Sequence, residues 1–238
     1  DARELLGIPN FWNVGSNLPF LVIGGAGLTW LARASTTVPA HFARCYQVMF
    51  AGVLLTGFGS AYYHWAPDNA SLIWDRLPIA IGFMGLFAGF VAERLILPPR
   101  PTIALLTALS IYGAGSVAYW AACDDLRFYL IAQFYPLLAI PVMLWLLPRQ
   151  ATRGRDWLAA IGFYLAAKAL ESIDGVVFAL GGVISGHTLK HMLAAAGACW
   201  PRWRRWSPGG ADPSAPRTAR RAGQRSRSPW RGSRCDPS

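Results

Sequence analysis

The sequence predicts an all-α membrane protein, a bundle of seven transmembrane helices with the N-terminus outside and the C-terminus in the cytoplasm. Three observations lead to this fold class. Of the 238 residues, 54% are hydrophobic and only 14% are charged, a balance typical of chains that are solvated largely by lipid. Apolar stretches of bilayer length recur along the chain with short breaks between them. Basic residues are concentrated at alternate breaks.

Seven apolar segments follow one another in the first 200 residues. Most reach the ~20 residues with which a helix crosses a hydrocarbon core about 30 Å thick. The breaks carry Arg, Asp, Pro or Gly and are too short for separate domains, so residues 1–200 are predicted to form one membrane domain. The predicted spans are residues 11–32, 42–64, 72–93, 101–121, 127–147, 156–173 and 185–200.

The orientation follows from Lys and Arg, which are retained preferentially on the cytoplasmic side. The second and fourth connections offer only Arg76 and Arg127, each near an acidic residue. The first, third and fifth connections are richer, with Arg33, Arg44, Arg94, Arg100, Arg149, Arg153 and Arg155. The second predicted helix therefore runs outward, and the third and seventh begin on the outer side.

The segment 201–238 differs in kind from the rest of the chain. It contains ten Arg and no Leu, Ile, Val, Phe, Tyr, Lys or Glu, so it is predicted to be disordered. One interpretation is a tail that binds RNA or anionic lipid. The favoured one is a frameshift artefact, because the seventh apolar segment breaks off after sixteen residues; no nucleic-acid partner is therefore expected.

Three of the four histidines lie at the outer ends of apolar segments. His64 ends the second segment, and His187 and His191 stand one helical turn apart at the start of the seventh. Imidazole is rare at membrane depth, and a shared metal is the most economical explanation. Three nitrogen ligands leave one position open for a water whose pKa the metal lowers towards ~7, as in catalytic zinc sites. Zinc is therefore the expected cofactor.

Two further polar residues are placed near this histidine set. Ser60 precedes His64 by one turn and can donate a hydrogen bond to a developing oxyanion, while Asp75 begins the third segment and can accept a proton from water. Other interpretations exist for each alone. Ser60 is also typical of a small packing residue between membrane helices, and Asp75 of an interfacial ion pair with Arg76.

These residues also carry a resemblance to a known family. The sequence resembles the alkaline ceramidases and their bacterial relatives, within the seven-helix superfamily that includes the adiponectin and progestin receptors. The resemblance covers residues 10–200. Its motifs are FWN at 11–13 with SN at 16–17, GSAYYH at 59–64, WDRLP at 74–78 and HTLKH at 187–191.

The resemblance implies a function and roles for the matching residues. It implies that His64, His187 and His191 hold zinc, that Ser60 and Asp75 are catalytic, and that the reaction is hydrolysis of a ceramide-like lipid amide to a sphingoid base and a fatty acid. It also implies a multi-pass protein of the bacterial inner membrane with its active site near the periplasmic face. Calcium is not predicted, because Asn10 stands where animal ceramidases have a glutamate.

The sequence alone leaves two functions other than an enzyme open. A seven-helix lipid receptor or sensor with a structural zinc would use the same ligands without turnover, and a transporter would use the histidines as proton relays. A charged cluster, Lys168, Glu171 and Asp174 with Lys190 between the histidines, is expected either to brace helices or to face a substrate headgroup.

Overall fold

The computed structural model describes residues 3–33, 38–147 and 154–199, and within these ranges the chain is helical, without strands. The predicted tail, 201–238, lies outside the described residues. Within the described ranges, four spans are long and apolar enough to cross a membrane: Phe11–Arg33, Asn69–Arg94, Pro99–Cys123 and Arg127–Leu146. The all-α prediction is thereby confirmed, and the four spans indicate an integral, multi-pass membrane protein.

Each predicted span contains a helix, and one additional short helix occurs. The first predicted span holds two helices, and α8 lies between the sixth and seventh predicted spans. The helices in the described ranges are α1 (Phe11–Gly15), α2 (Leu18–Arg33), α3 (Ala40–Trp65), α4 (Asn69–Arg94), α5 (Pro99–Cys123), α6 (Arg127–Leu146), α7 (Gly154–Ser172), α8 (Asp174–Gly181) and α9 (Gly186–Cys199).

The contact between α3 and α4 is the most extensive in the fold. Glycines allow it, because a Cβ on Gly52 would lie 2.6 Å from the Cα of Gly82, and a Cβ on Gly59 would collide with the carbonyl of Trp74. That carbonyl has no helical partner, since Pro78, four residues later, lacks an N–H. The two backbones therefore approach most closely where Ser60 and Asp75 follow Gly59 and Trp74.

The main apolar core lies at the other end of α3 and α4. Phe90 of α4 and Trp157 of α7 are fully buried and meet edge to face, with ring centroids 4.9 Å apart. Leu31 of α2 and Phe50 of α3 belong to the same buried cluster. This core joins α2, α3, α4 and α7, and so holds the helices that converge on the site at their opposite ends.

The N-terminal segment contacts the connection between α8 and α9. The Arg3 guanidinium donates to the carbonyl of Gly182 at 2.9 Å and to that of Val183, and it lies over the ring of Phe178. Packing of α9 against both α7 and α2 accompanies these contacts. The start of the chain and its last described helix are therefore neighbours.

Candidate metal centre

Three imidazole rings meet where the end of α3 faces the start of α9. One ring nitrogen from each of His64, His187 and His191 lies within 4.8 Å of the other two. Nε2 of His64 and Nε2 of His187 are 3.0 Å apart. His64 and His191 are buried, and His187 is partly buried. The structure thus brings together the three predicted ligands, which are separated by up to 127 residues in sequence.

The donor set fits a transition-metal ion. Two nitrogens bound at 2.0–2.1 Å to one tetrahedral zinc stand about 3.3 Å apart, close to the separation of the His64 and His187 nitrogens. Neutral imidazoles are good ligands for zinc, and also for copper, iron and nickel. The cluster is close enough to hold a metal ion, and its chemistry agrees with zinc without selecting it from this group.

Each histidine is held from outside the cluster. Nδ1 of His191 shares a hydrogen bond with the hydroxyl of Ser16, 2.8 Å away, which leaves Nε2 to face the other rings. The backbone N–H of His187 donates to the Asp174 carboxylate at 2.6 Å. The carbonyl of His64 accepts from the amide of Asn10 at 2.8 Å. These contacts fix the orientation of the helix ends that carry the rings.

The start of α9 is also held by a buried polar contact to α1. Thr188 donates through its hydroxyl to the side-chain carbonyl of Asn13, 3.0 Å away, and both residues are buried. Gly186 permits the close approach to α7, because a Cβ there would strike the carbonyl of Leu170. Position 187 is therefore fixed relative to both neighbouring helices.

Ser60 and Asp75 line a single cavity together with His187 and His191. The Ser60 side chain is only 2% exposed, and the backbones beside Ser60 and Asp75 are in close contact, because Gly59 faces the carbonyl of Trp74. The neighbouring Arg76 places its guanidinium over the ring of Trp120, 3.9 Å from the centroid. Ser60 and Asp75 therefore line one cavity from neighbouring helices, and Arg76 has a separate aromatic partner.

The helix that carries Asp75 is capped just before it. Asp68 accepts the backbone N–H of Ser71 at 2.6 Å, and the Ser71 hydroxyl accepts the N–H of Asp68, which together form a capping box. The hydrogen bond from the Ser71 backbone lowers the pKa of the Asp68 carboxyl below its usual value. The first turn of α4 is thereby fixed, and Asp75 stands two turns into it.

The cavity has a volume of about 460 Å³, within the range of about 300–1,000 Å³ that is usual for small-ligand sites. Its walls are mostly apolar. They include Phe20, Met49, Leu72, Phe83, Leu137 and Ile140. A pocket with an apolar body and polar groups at one side suits a ligand with a hydrocarbon chain.

The sequence did not single out every polar group at this site. Ser16 stood in a recognised motif without a role, and nothing linked Asn13 to Thr188, because such contacts depend on how helices distant in sequence dock. The charged cluster also differs in detail from the prediction. Asp174 begins a separate helix, α8, and binds the start of α9, whereas Glu171 contacts both Lys168 and Lys190.

Comparison with protein-family models and with curated proteins gave no match to this chain. The fold and the site alone therefore define the class: a helical, multi-pass membrane protein with a three-histidine cluster able to hold a metal ion beside a largely apolar cavity.

Proposed function

We propose that this protein is a zinc-dependent intramembrane hydrolase that cleaves the amide bond of a ceramide-like lipid to a sphingoid base and a fatty acid. One observation carries the proposal: three histidines at ligand distance adjoin a cavity that Ser60 and Asp75 line from two neighbouring helices. Three nitrogen ligands leave a coordination position open, and the cavity is where a substrate would meet it.

The proposal includes a bundle of seven membrane-crossing segments in a bacterial inner membrane, with the N-terminus outside, the C-terminus in the cytoplasm and the site near the periplasmic face. Two findings support it. Every predicted span contains a helix. The five proposed site residues also lie at the helix ends that the distribution of basic residues assigns to the outer side.

In the proposed reaction a lipid amide enters with its chain along the apolar wall. A zinc ion held by the three histidines would supply a Lewis acid and lower the pKa of water. The Ser60 hydroxyl donates a hydrogen bond to the oxygen of the amide carbonyl as negative charge develops there. Asp75 accepts a proton as the water oxygen bonds to the carbonyl carbon. The C–N bond then breaks, and the amine leaves with that proton.

The test is zinc content and lipid-amide hydrolysis measured together on detergent-purified protein. We expect about one zinc per chain in the parent, and neither zinc nor turnover in His187→Ala. Asp75→Asn should keep zinc and lose about 10²-fold or more in turnover, the usual contribution of a positioned base. His41→Ala, at the far end of α3, is the matched control and should retain both.

The outcomes separate the proposed enzyme from its competitors. Zinc without hydrolysis of any lipid amide, including ceramide, would favour the receptor or sensor with a structural metal. A folded parent that binds no zinc would exclude the hydrolase and leave a proton relay, which should move charge across vesicles.

A further inference from the structure

The cavity contains a second polar group of residues beside Ser60 and Asp75. Nζ of Lys190 donates to Oε1 of Glu171 at 2.8 Å, and Nζ of Lys168 donates to Oε2 of the same carboxylate. Lys190 is on α9, whereas the other two residues are on α7. One carboxylate is therefore shared by two ammonium groups, and their net charge is +1.

The other charged residues of the cavity do not remove this excess. Among the described residues that line it, three are cationic and two are anionic: Arg76, Lys168 and Lys190 against Asp75 and Glu171. A divalent ion on the neutral histidines would add to the positive side. Uncompensated charge is costly in a low-dielectric site, so a ligand that brings negative charge is favoured over a neutral one.

Arg76 strengthens this argument. Its guanidinium stacks on Trp120, and its Nη1 atom is buried without a hydrogen-bond partner among the described residues. A buried donor without an acceptor costs free energy until something supplies one. A residue that lines the cavity thus has an unpartnered donor, in addition to the cavity's excess of positive charge.

The position of Lys190 shows where negative charge would have to be. It follows His187 by three residues and precedes His191 by one, so it shares a helix face with His187, with Cβ atoms about 5–6 Å apart. Its side chain is 19% exposed and lines the cavity. If Lys190 binds a negative group of the substrate, that group is consequently only a few bonds away from the amide that would be cleaved at the metal centre.

Resting on the hydrolase function proposed above, we infer that the substrate is a single-chain lipid amide whose amine half carries a carboxylate, that is, an N-acyl amino acid, and that Lys190 binds this carboxylate. In such a lipid the carboxylate is two bonds from the amide nitrogen, which matches the closeness of Lys190 to His187. One chain with a small headgroup also suits a cavity of about 460 Å³. The inferred substrate keeps the acyl chain and the amide bond of the proposed function, and it has an amino acid in place of the sphingoid base.

The experiment uses a matched pair of ligands, N-palmitoylglycine and N-palmitoylethanolamine, which differ in carboxylate against hydroxyl. Binding to the chelator-treated full-length protein in detergent is followed by tryptophan fluorescence. We expect the acid to bind about tenfold or more tightly, the size of one hydrogen bond between charged groups. Lys190→Met should bring the two affinities within about twofold, and Lys190→Arg should retain the preference.

Arg100→Met is the control, because this exposed cation at the start of α5 lies outside the cavity, and it should leave the preference unchanged. Equal affinity of the parent for both ligands would overturn the inference without any variant. Hydrolysis of ceramide or the ethanolamide with no preference for the acid would overturn it too, while leaving the hydrolase in place. Preferential binding of the acid, with no hydrolysis of either ligand or of ceramide by the zinc-loaded protein, would support the carboxylate site and refute the proposed enzyme.

Discussion

His191 shows how much of the site depends on a single hydrogen bond. Its ring is 4% exposed, and Nδ1 faces the Ser16 hydroxyl across 2.8 Å. With Nδ1 so occupied, Nε2 is the nitrogen left for a metal. Ser16 belongs to the connection between α1 and α2, so the first part of the chain determines which atom of the last described helix is available as a ligand.

Ser16→Ala should therefore weaken zinc binding without removing a ligand. We expect a loss of about 10- to 100-fold in zinc affinity, the usual effect of removing the partner that orients a ligating histidine. Competition with a chromophoric zinc chelator measures it. Ser172→Ala, an exposed serine at the end of α7, is the control. Equal zinc affinity in Ser16→Ala and the parent would show that the hydroxyl does not orient His191.

The individual residues with distinctive chemistry could be predicted from the sequence, but most of the residues that they contact could not. His187 and His191 could be paired from their spacing alone, since one helical turn puts both on one face. Joining His64 to them needed the assumption of a common membrane face, and the observed cluster agrees with it. The link from Lys190 to Glu171 depends on the docking of α9 against α7, which no local pattern encodes.

The packing of α3 against α4 determines how close Ser60 and Asp75 lie to each other. Pro78 leaves the Trp74 carbonyl free inside α4, and this carbonyl faces the bare Cα of Gly59. The free carbonyl of Trp74 and the bare Cα of Gly59 therefore meet directly before Asp75 and Ser60 in the two helices. A larger residue at 59 would separate the serine from the aspartate.

Gly59→Ala tests this dependence. The added methyl group should force the helices apart, cost about 1–3 kcal/mol of stability as overpacking does, and lower the activity further by separating Ser60 from Asp75. Thermal unfolding and turnover are the measurements. Gly115→Ala on α5 places a methyl group in open space and should be neutral or stabilising by up to ~1 kcal/mol. A Gly59→Ala protein as stable and active as the parent would refute the close-contact argument.

The lengths of the apolar segments predicted the positions of the helices well, but they predicted less well where a helix is interrupted. Each predicted span contains a helix because about twenty apolar residues between polar breaks leave the backbone few other ways to satisfy its hydrogen bonds. The end of α7 agrees with the predicted end of the sixth span at residue 173, whereas the helix α8 that follows it was not predicted. α8 itself is only eight residues long, too short for a periodic pattern to identify.

For the whole molecule, the proposed orientation places two exposed cysteines on opposite sides of the membrane. Cys123 ends α5 and should face outward, whereas Cys199 ends α9 and should face the cytoplasm. We predict that a membrane-impermeant maleimide applied to intact spheroplasts labels a variant that retains Cys123 as its only cysteine. A variant that retains only Cys199 should react after permeabilisation alone. The reverse pattern would invert the bundle and place the site on the cytoplasmic side.

The contacts between the two ends of the described chain govern when the site can exist. Residues 3–17 meet residues 182–191 through Arg3, through Asn13 with Thr188 and through Ser16 with His191. Translation delivers α9 after the other described helices, so His64 stays without its companion ligands until α9 has been synthesised and has docked. A metal ion held by all three histidines would therefore bind late in biogenesis, and its binding would show that the two ends of the described chain have docked.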